Sequence, residues 1–167
     1  MNYMVANANK ICPGLWLGDY YSANDEDFIS SNNITLVVNC TTDLKFPQFY
    51  KHLHLTAIRI PLKDIKNDRA NDNVLIRNID DIEQRINDAL CNGRNVLVHC
   101  YAGIQRSATV VAYYLMKRHT NYNFMKTIEY IKQCRPIAFT PTPTFENFLR
   151  LLDRHYNSYH YKIFNGV

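Results

Sequence analysis

Val96-Leu97-Val98-His99-Cys100-Tyr101-Ala102-Gly103-Ile104-Gln105-Arg106-Ser107 decides how the rest of the chain is read. Three apolar residues form a buried strand that runs into a Cys, then a loop with a Gly near its middle, then an Arg-Ser that opens an apolar-periodic helix. Successive backbone N–H groups in such a loop converge on one point. The unpaired N–H groups and positive dipole end of the following helix aim at the same point, so a tetrahedral oxyanion is the natural occupant. Arg106 adds a planar fork of donors able to take two oxygens at once. Cys100 lies at the base of the loop, where amides, helix dipole and Arg106 favour a thiolate, so the expected arrangement is a nucleophile beneath a bound anion.

Taken singly, each residue has a plainer reading. A Cys that ends a buried strand is most often a small core hydrophobe, and a neighbouring His such as His99 a satisfied core histidine. The combination of His, Cys, Gly, Arg and Ser at these offsets, between a strand and a helix, is what favours chemistry. A nucleotide-binding P-loop is excluded, because no Gly-Lys-Ser/Thr follows a Gly-rich run.

The 167 residues are 47% hydrophobic and 20% charged, which fits one domain with a sizeable core. The net charge of +4 is spread without a Lys/Arg block, so it suits an anionic substrate better than extended nucleic-acid binding. Neither a signal-like N-terminus nor a run of membrane-spanning length is present, so no membrane association is expected, and the expected location is the cytosol or nucleus. Abundant Asn and Tyr fit an AT-rich coding genome, such as a virus acting in an infected host cell. The five cysteines, Cys12, Cys40, Cys91, Cys100 and Cys134, are odd in number and widely spaced. They make no zinc pattern and are expected to be reduced. Cys40 ends a second predicted strand and is expected near Cys100 as a core thiol.

Along the chain, residues 1–10 read as a short N-terminal segment, 11–155 as the domain and 156–167 as an aromatic tail. Residues 11–18 read as a short strand, and Ser22 with Asp25 as a capping-box start for a helix that turns Phe28 and Ile29 inward. Ile34 to Cys40 is a central strand and 53–62 a further one ending at Pro61. His52 and His54 carry no chemistry in this reading. A polar loop, Lys63 to Asp72, precedes a helix with Leu75, Ile79, Ile82, Ile86 and Leu90 on one face, ended by Asn92-Gly93. Behind the cradle, Ile104, Ala108, Val111, Ala112 and Leu115 form a core stripe; Phe124, Ile128 and Ile131 mark another helix, stopped at Pro136. Thr142-Pro143 reads as N-cap and first position of a last helix with Phe145, Phe148, Leu149 and Leu152 inward. Tail residues Tyr156 to Phe164 are expected to dock on the core, a homodimer contact being the lesser alternative. Strands alternating with helices predict an α/β fold: one central, mainly parallel, twisted sheet flanked by helices, with the cradle at a strand's carboxyl end.

The segment His99 to Arg106 matches the His-Cys-x5-Arg signature of the cysteine-based protein tyrosine phosphatase superfamily. Its continuation, Ala102-Gly103-Ile104 and Arg106-Ser107-Ala108-Thr109 with Ala112 to Met116 behind, resembles the dual-specificity branch, as do Leu15-Trp16-Leu17-Gly18, the strand ending at Asn39 and, loosely, Thr142-Pro143-Thr144-Phe145. The resemblance implies a phosphatase of phosphotyrosine and phosphoserine/phosphothreonine in proteins. Cys100 would be the nucleophile, Tyr101, Ala102, Gly103, Ile104, Gln105 and Arg106 the phosphate loop, Ser107 a hydrogen-bond donor to the thiolate, and His99 a support behind the loop. It implies no metal and no cofactor, and some members protect the nucleophile by a disulfide, for which Cys40 is the candidate partner. For the general acid, Ile60-Pro61-Leu62-Lys63-Asp64 resembles the segment that leads to the family's acid, whereas Asp68, 32 residues before Cys100, fits the usual spacing better than Asp64 at 36. Asp64 is the first choice, Asp68 the second, and Asp72 trails. The same cradle serves RNA 5′-triphosphatases, phosphoinositide phosphatases and non-catalytic phospho-binding modules, but the loop's uncharged Tyr101, Ala102, Ile104 and Gln105 speak against the first two, and the retained Cys100, Arg106 and Ser107 against the third.

Overall fold

β-Branched and apolar side chains make Ile34–Asn39 (β3) and Asn95–His99 (β5) the interior of the sheet, where both faces are covered. The computed structural model describes residues 5–66, 68–119 and 122–165, with 157–165 as backbone only. Ala8–Cys12 (β1) and Leu15–Gly18 (β2) precede two short helices, Tyr20–Ala23 (α1) and Glu26–Ser31 (α2). After β3 come Phe49–His52 (α3), Thr56–Arg59 (β4) and the long Arg69–Cys91 (α4). Beyond β5 lie Arg106–Arg118 (α5), Phe124–Cys134 (α6) and Glu146–Asn165 (α7). The sheet order is β1-β2-β5-β3-β4, parallel except for the β1–β2 pair, so the predicted mainly parallel α/β sheet is present and β5 is its middle strand.

Alternation along β5 divides the core. Val96 and Val98 face α4, α5, α6 and α7, whereas Leu97 faces α1, α2 and α3 together with Trp16, Ile29, Val37 and Tyr50. In β3 the register slips between Ile34 and Leu36, which puts Ile34 and Val37 on one face and Leu36 and Val38 on the other. Each fully buried Val or Leu contributes about 1.5–3 kcal/mol.

Four local readings are corrected. Residues 11–18 are not one strand: Pro13-Gly14 turns the chain, Gly14 has φ +80°, and the segment is the tip of the β1–β2 hairpin. Ser22 starts no helix; it is the third residue of α1, where it completes a capping box with Asp19, and Asp25 alone caps α2 through the Phe28 N–H at 2.9 Å. The last helix begins at Glu146 rather than Pro143, because the backbone from Thr140 to Thr144 is bonded to Gln105 instead of turning helically. Ser107 to Met116 of α5 are buried all round, since α5 lies among β5, α4, α6 and α7, and Ile104 belongs to the loop before it.

On α4 the predicted Leu75, Ile79, Ile82 and Ile86 are buried, and Glu83 is buried with them. Its carboxylate accepts from Arg118 and lies 3.1 Å from Lys117 Nζ, which compensates its desolvation. Tyr156 docks on the core, its hydroxyl 3.0 Å from that of Tyr113. The side chains of the remaining tail, 157–164, lie outside the described residues.

Candidate active site

Cys100 follows the last residue of β5, and its 1% exposure comes from burial at the floor of the loop. Gly103 N–H and Ser107 Oγ both point at its sulfur, each at 3.2 Å. Two donors on one sulfur are what a thiolate accepts.

The loop's carbonyls explain where its N–H groups go. Tyr101 O accepts from Tyr20 N–H at 3.0 Å, Ala102 O from Arg135 Nη2 at 3.2 Å, Gly103 O from Arg135 Nε at 2.8 Å and Ile104 O from Phe139 N–H at 2.8 Å, while Gln105 O takes Thr109 N–H at 2.9 Å. The carbonyls of 101 to 104 are thus bonded outward to surrounding elements, and that of Gln105 into the first turn of α5. In a planar trans peptide the N–H opposes the C=O, so the N–H groups of residues 102–106 face the interior of the loop. Gly103 is needed twice: its φ is +67°, and a Cβ there would lie 2.5 Å from Gly18 O and 2.7 Å from Arg135 Nη2.

Arg106 opens α5, and its side chain is 12% exposed. Its Nε is buried and makes no hydrogen bond among the described residues, its ion-pair partner being the Asp64 carboxylate at 3.5 Å. A buried guanidinium donor that makes no close hydrogen bond has one to offer an incoming acceptor. Gln105 occupies the N-cap position but does not cap the helix, leaving the first N–H groups of α5 free for an anion. Its carboxamide instead donates to Thr140 O at 2.9 Å and Thr142 O at 3.0 Å and accepts from Thr144 N–H at 2.8 Å.

The two candidate carboxylates part company. Asp64 Oδ2 lies 3.5 Å from Arg106 Nε, and its Oδ1 is 3.5 Å from Thr144 Oγ1, with 43% of the side chain exposed. Asp68 is the N-cap of α4, its Oδ1 accepting from Ala70 N–H at 2.8 Å, and Asp72 sits in the first turn of that helix. Only Asp64 is brought to the cradle.

His99 is 2% exposed and lies behind the loop, Nδ1 being 3.4 Å from Cys100 O. Burial pulls its pKa from 6.5 down to about 4, so the ring is neutral at physiological pH. The unfolded chain protonates this His near 6.5 and the folded protein only near 4. Between those values the unfolded state binds more protons, so stability falls as pH drops through that window. A loss of about 3 kcal/mol is expected between pH 7 and 4, read from denaturant midpoints, and His99→Gln should flatten that dependence. Cys40 follows β3 beside this strand, its N–H donating to His99 O at 2.8 Å. Burial and the proximity of Cys100 raise its thiol well above the ordinary range, and no disulfide joins the two.

Arg135 was not foreseen as a site residue. At 1% exposure it is the largest fully buried side chain among the described residues, and besides two loop carbonyls it bonds Asn7 Oδ1 at 3.0 Å and Asn9 Oδ1 at 2.7 Å, tying β1 and the segment before it to the cradle. Tyr101 stands 57% exposed beside the nucleophile, its ring stacked on Tyr20 at 6.3 Å.

A buried sulfur under inward-facing amides, a guanidinium with a spare donor and a carboxylate above them together suit transfer of a phosphoryl group. The sequence profile of the dual specificity phosphatase catalytic domain matches residues 15–155. The chain is 30% identical over 148 residues to dual specificity protein phosphatase 1B of Arabidopsis thaliana, spanning 87% of this chain and 81% of that protein. It is 35% identical over 141 residues to dual specificity protein phosphatase 15 of Rattus norvegicus, spanning 84% of this chain and 55% of the rat protein. The crystal structure of human DUSP28 superposes with a TM-score of 0.77 at 25% identity, covering 93% of this chain and 98% of that one. The profile match takes in the cradle, the Asp64 loop and the start of α7 alike, and by it the chain belongs to the dual-specificity phosphatase family.

Proposed function

We propose that the chain hydrolyses phosphotyrosine and phosphoserine/phosphothreonine in protein substrates through a phosphocysteine on Cys100. The observation that carries this reading is the loop itself: Cys100 Sγ lies buried under Gly103 N–H and Ser107 Oγ, and Arg106 at the loop's end holds the Asp64 carboxylate within 3.5 Å of its Nε. Amides of the loop and the Arg106 fork stabilise the charge on the three equatorial oxygens of the transferring group. Cys100 attacks phosphorus in line as the ester oxygen leaves, which divides one difficult displacement into two easier ones. Asp64 gives its proton to the departing oxygen and later takes one from the water that attacks the phosphocysteine. Ser107 donates to the sulfur as it is released as thiolate. Arg106 and the amides already neutralise the phosphate dianion, so turnover is expected to persist in a chelator.

The test is metal-free phosphate release from a peptide carrying phosphotyrosine and phosphothreonine, with 5′-triphosphorylated RNA as a second substrate. Rapid release from the peptide, absent in Cys100→Ser, supports the reading; release confined to RNA overturns it. The role of Asp64 has its own test. Asp64→Asn should lower turnover of a phosphothreonine peptide roughly 10²-fold, the scale of general-acid catalysis, while an aryl ester whose leaving group needs little protonation should change by less than about threefold. Equal, small losses on both would transfer the role to Asp68.

A further inference from the structure

The segment from Lys63 to Lys66, which carries Asp64, is exposed throughout, so little core burial defines where its carboxylate sits. Leu62 is the last buried residue before it. The next fixed point in sequence is the Asp68 cap of α4. Between them the loop is held from the side by one buried amide. Asn71, in the first turn of α4, is 2% exposed. Its Oδ1 accepts from Lys63 N–H at 2.8 Å, and its Nδ2 donates to Lys63 O at 2.8 Å and to Ile65 O at 3.4 Å. A carboxamide that bonds both the N–H and the C=O of one residue imitates a paired strand, and here it brackets Asp64 on both sides.

An apolar residue at this position of α4 would bury as well and favour the helix more. A buried amide is stable only when its hydrogen bonds are met, and those of Asn71 are met by this loop. We infer that Asn71 is a positioning residue for the general acid: it fixes the loop so that the Asp64 carboxylate stands beside Arg106. The inference rests on the reading of Asp64 as the acid. Thr144, the second contact of Asp64, is set by Gln105 in the same manner, one carboxamide bonding three backbone groups. The Asp64 loop and the 140–144 segment are thus each bonded by a carboxamide.

Displacement of a catalytic group by an ångström lowers rate by up to about 10²-fold, and the loss should appear only where the acid matters. Turnover of a phosphothreonine peptide and of an aryl phosphate ester would be compared for wild type, Asn71→Ala, Asp64→Asn and the double variant. Alkylation of Cys100 by iodoacetate would report on the cradle independently of the acid. Asn71→Ala is expected to lose about tenfold in kcat on the phosphothreonine peptide. It should stay within about twofold on the aryl ester and alkylate at the wild-type rate. In the Asp64→Asn background it should add no further loss, because the group it positions is already gone. Asn71→Ser, which keeps an acceptor for Lys63 N–H, should recover part of the loss and carries the same comparison if the Ala variant does not fold. Equal losses on both substrates, or an additive loss in the double variant, would overturn the inference by making Asn71 merely structural. A leaving-group effect absent in Asp64→Asn itself would instead remove the reading on which the inference stands.

Discussion

Cys100→Ser is expected to lower phosphate release from both peptide and aryl substrates by roughly 10⁴-fold or more, the scale seen when a covalent nucleophile is removed. A serine hydroxyl in the same place is a far weaker nucleophile than a thiolate, and His99, the adjacent base in sequence, is buried with its Nδ1 turned to the Cys100 carbonyl. The amides facing into the loop and Arg106 are untouched by the change. Inorganic phosphate or an oxyanion analogue should therefore bind Cys100→Ser nearly as well as wild type, measured by calorimetry. Loss of binding together with activity would mean that the loop had collapsed.

Arg106→Lys is expected to lose roughly 10³-fold in kcat/KM, comparable with removal of a principal oxyanion donor. Charge is retained, so the expected loss measures geometry. A guanidinium offers a rigid fork for two oxygens, whereas an ammonium is a point charge on a flexible stem. The buried Nε also has no equivalent in lysine. The same change removes the 3.5 Å contact that draws Asp64 over the cradle. Because Asp64 is 43% exposed, that contact contributes little to stability, and thermal unfolding of Arg106→Lys should stay near wild type.

Much of this was legible in the sequence, for reasons that differ by element. The Val96 to Ser107 stretch announced a strand, a cradle and a helix because each residue's local task constrains its type. Gly103 must take a positive φ with no room for a Cβ, and Arg106 must stand at a helix start. The parallel sheet followed from β3 and β5, whose both-face burial demands continuous apolar runs. Helix starts were less legible. Asp19, Ser22 and Asp25 follow one another at three-residue spacing, so a capping-box pattern read from Ser22 lands one element away from the true box. Thr142-Pro143 carries a helix-start signature that Gln105 overrides from 35 to 39 residues away.

Two supports of the site, Arg135 and Asn71, were not legible. Arg135 bonds the cradle from 32 residues downstream and Asn7 from 128 residues downstream, and an Arg after a helix gives no local sign of burial. Asn71 lies in a polar run, Arg-Ala-Asn-Asp-Asn, in which nothing distinguishes the buried Asn from the exposed one. Asp64 and Asp68 were separable only in three dimensions, where one carboxylate caps α4 and the other meets Arg106.

The central claim is that phosphate passes through Cys100. The most direct measurement is mass spectrometry of enzyme quenched in acid during steady turnover of a peptide carrying phosphotyrosine and phosphothreonine. The account predicts one added phosphoryl group, confined to the fragment containing Cys100 and absent from Cys100→Ser. Turnover that continues in Cys100→Ser, or a phosphoryl group carried on any other residue, would contradict it.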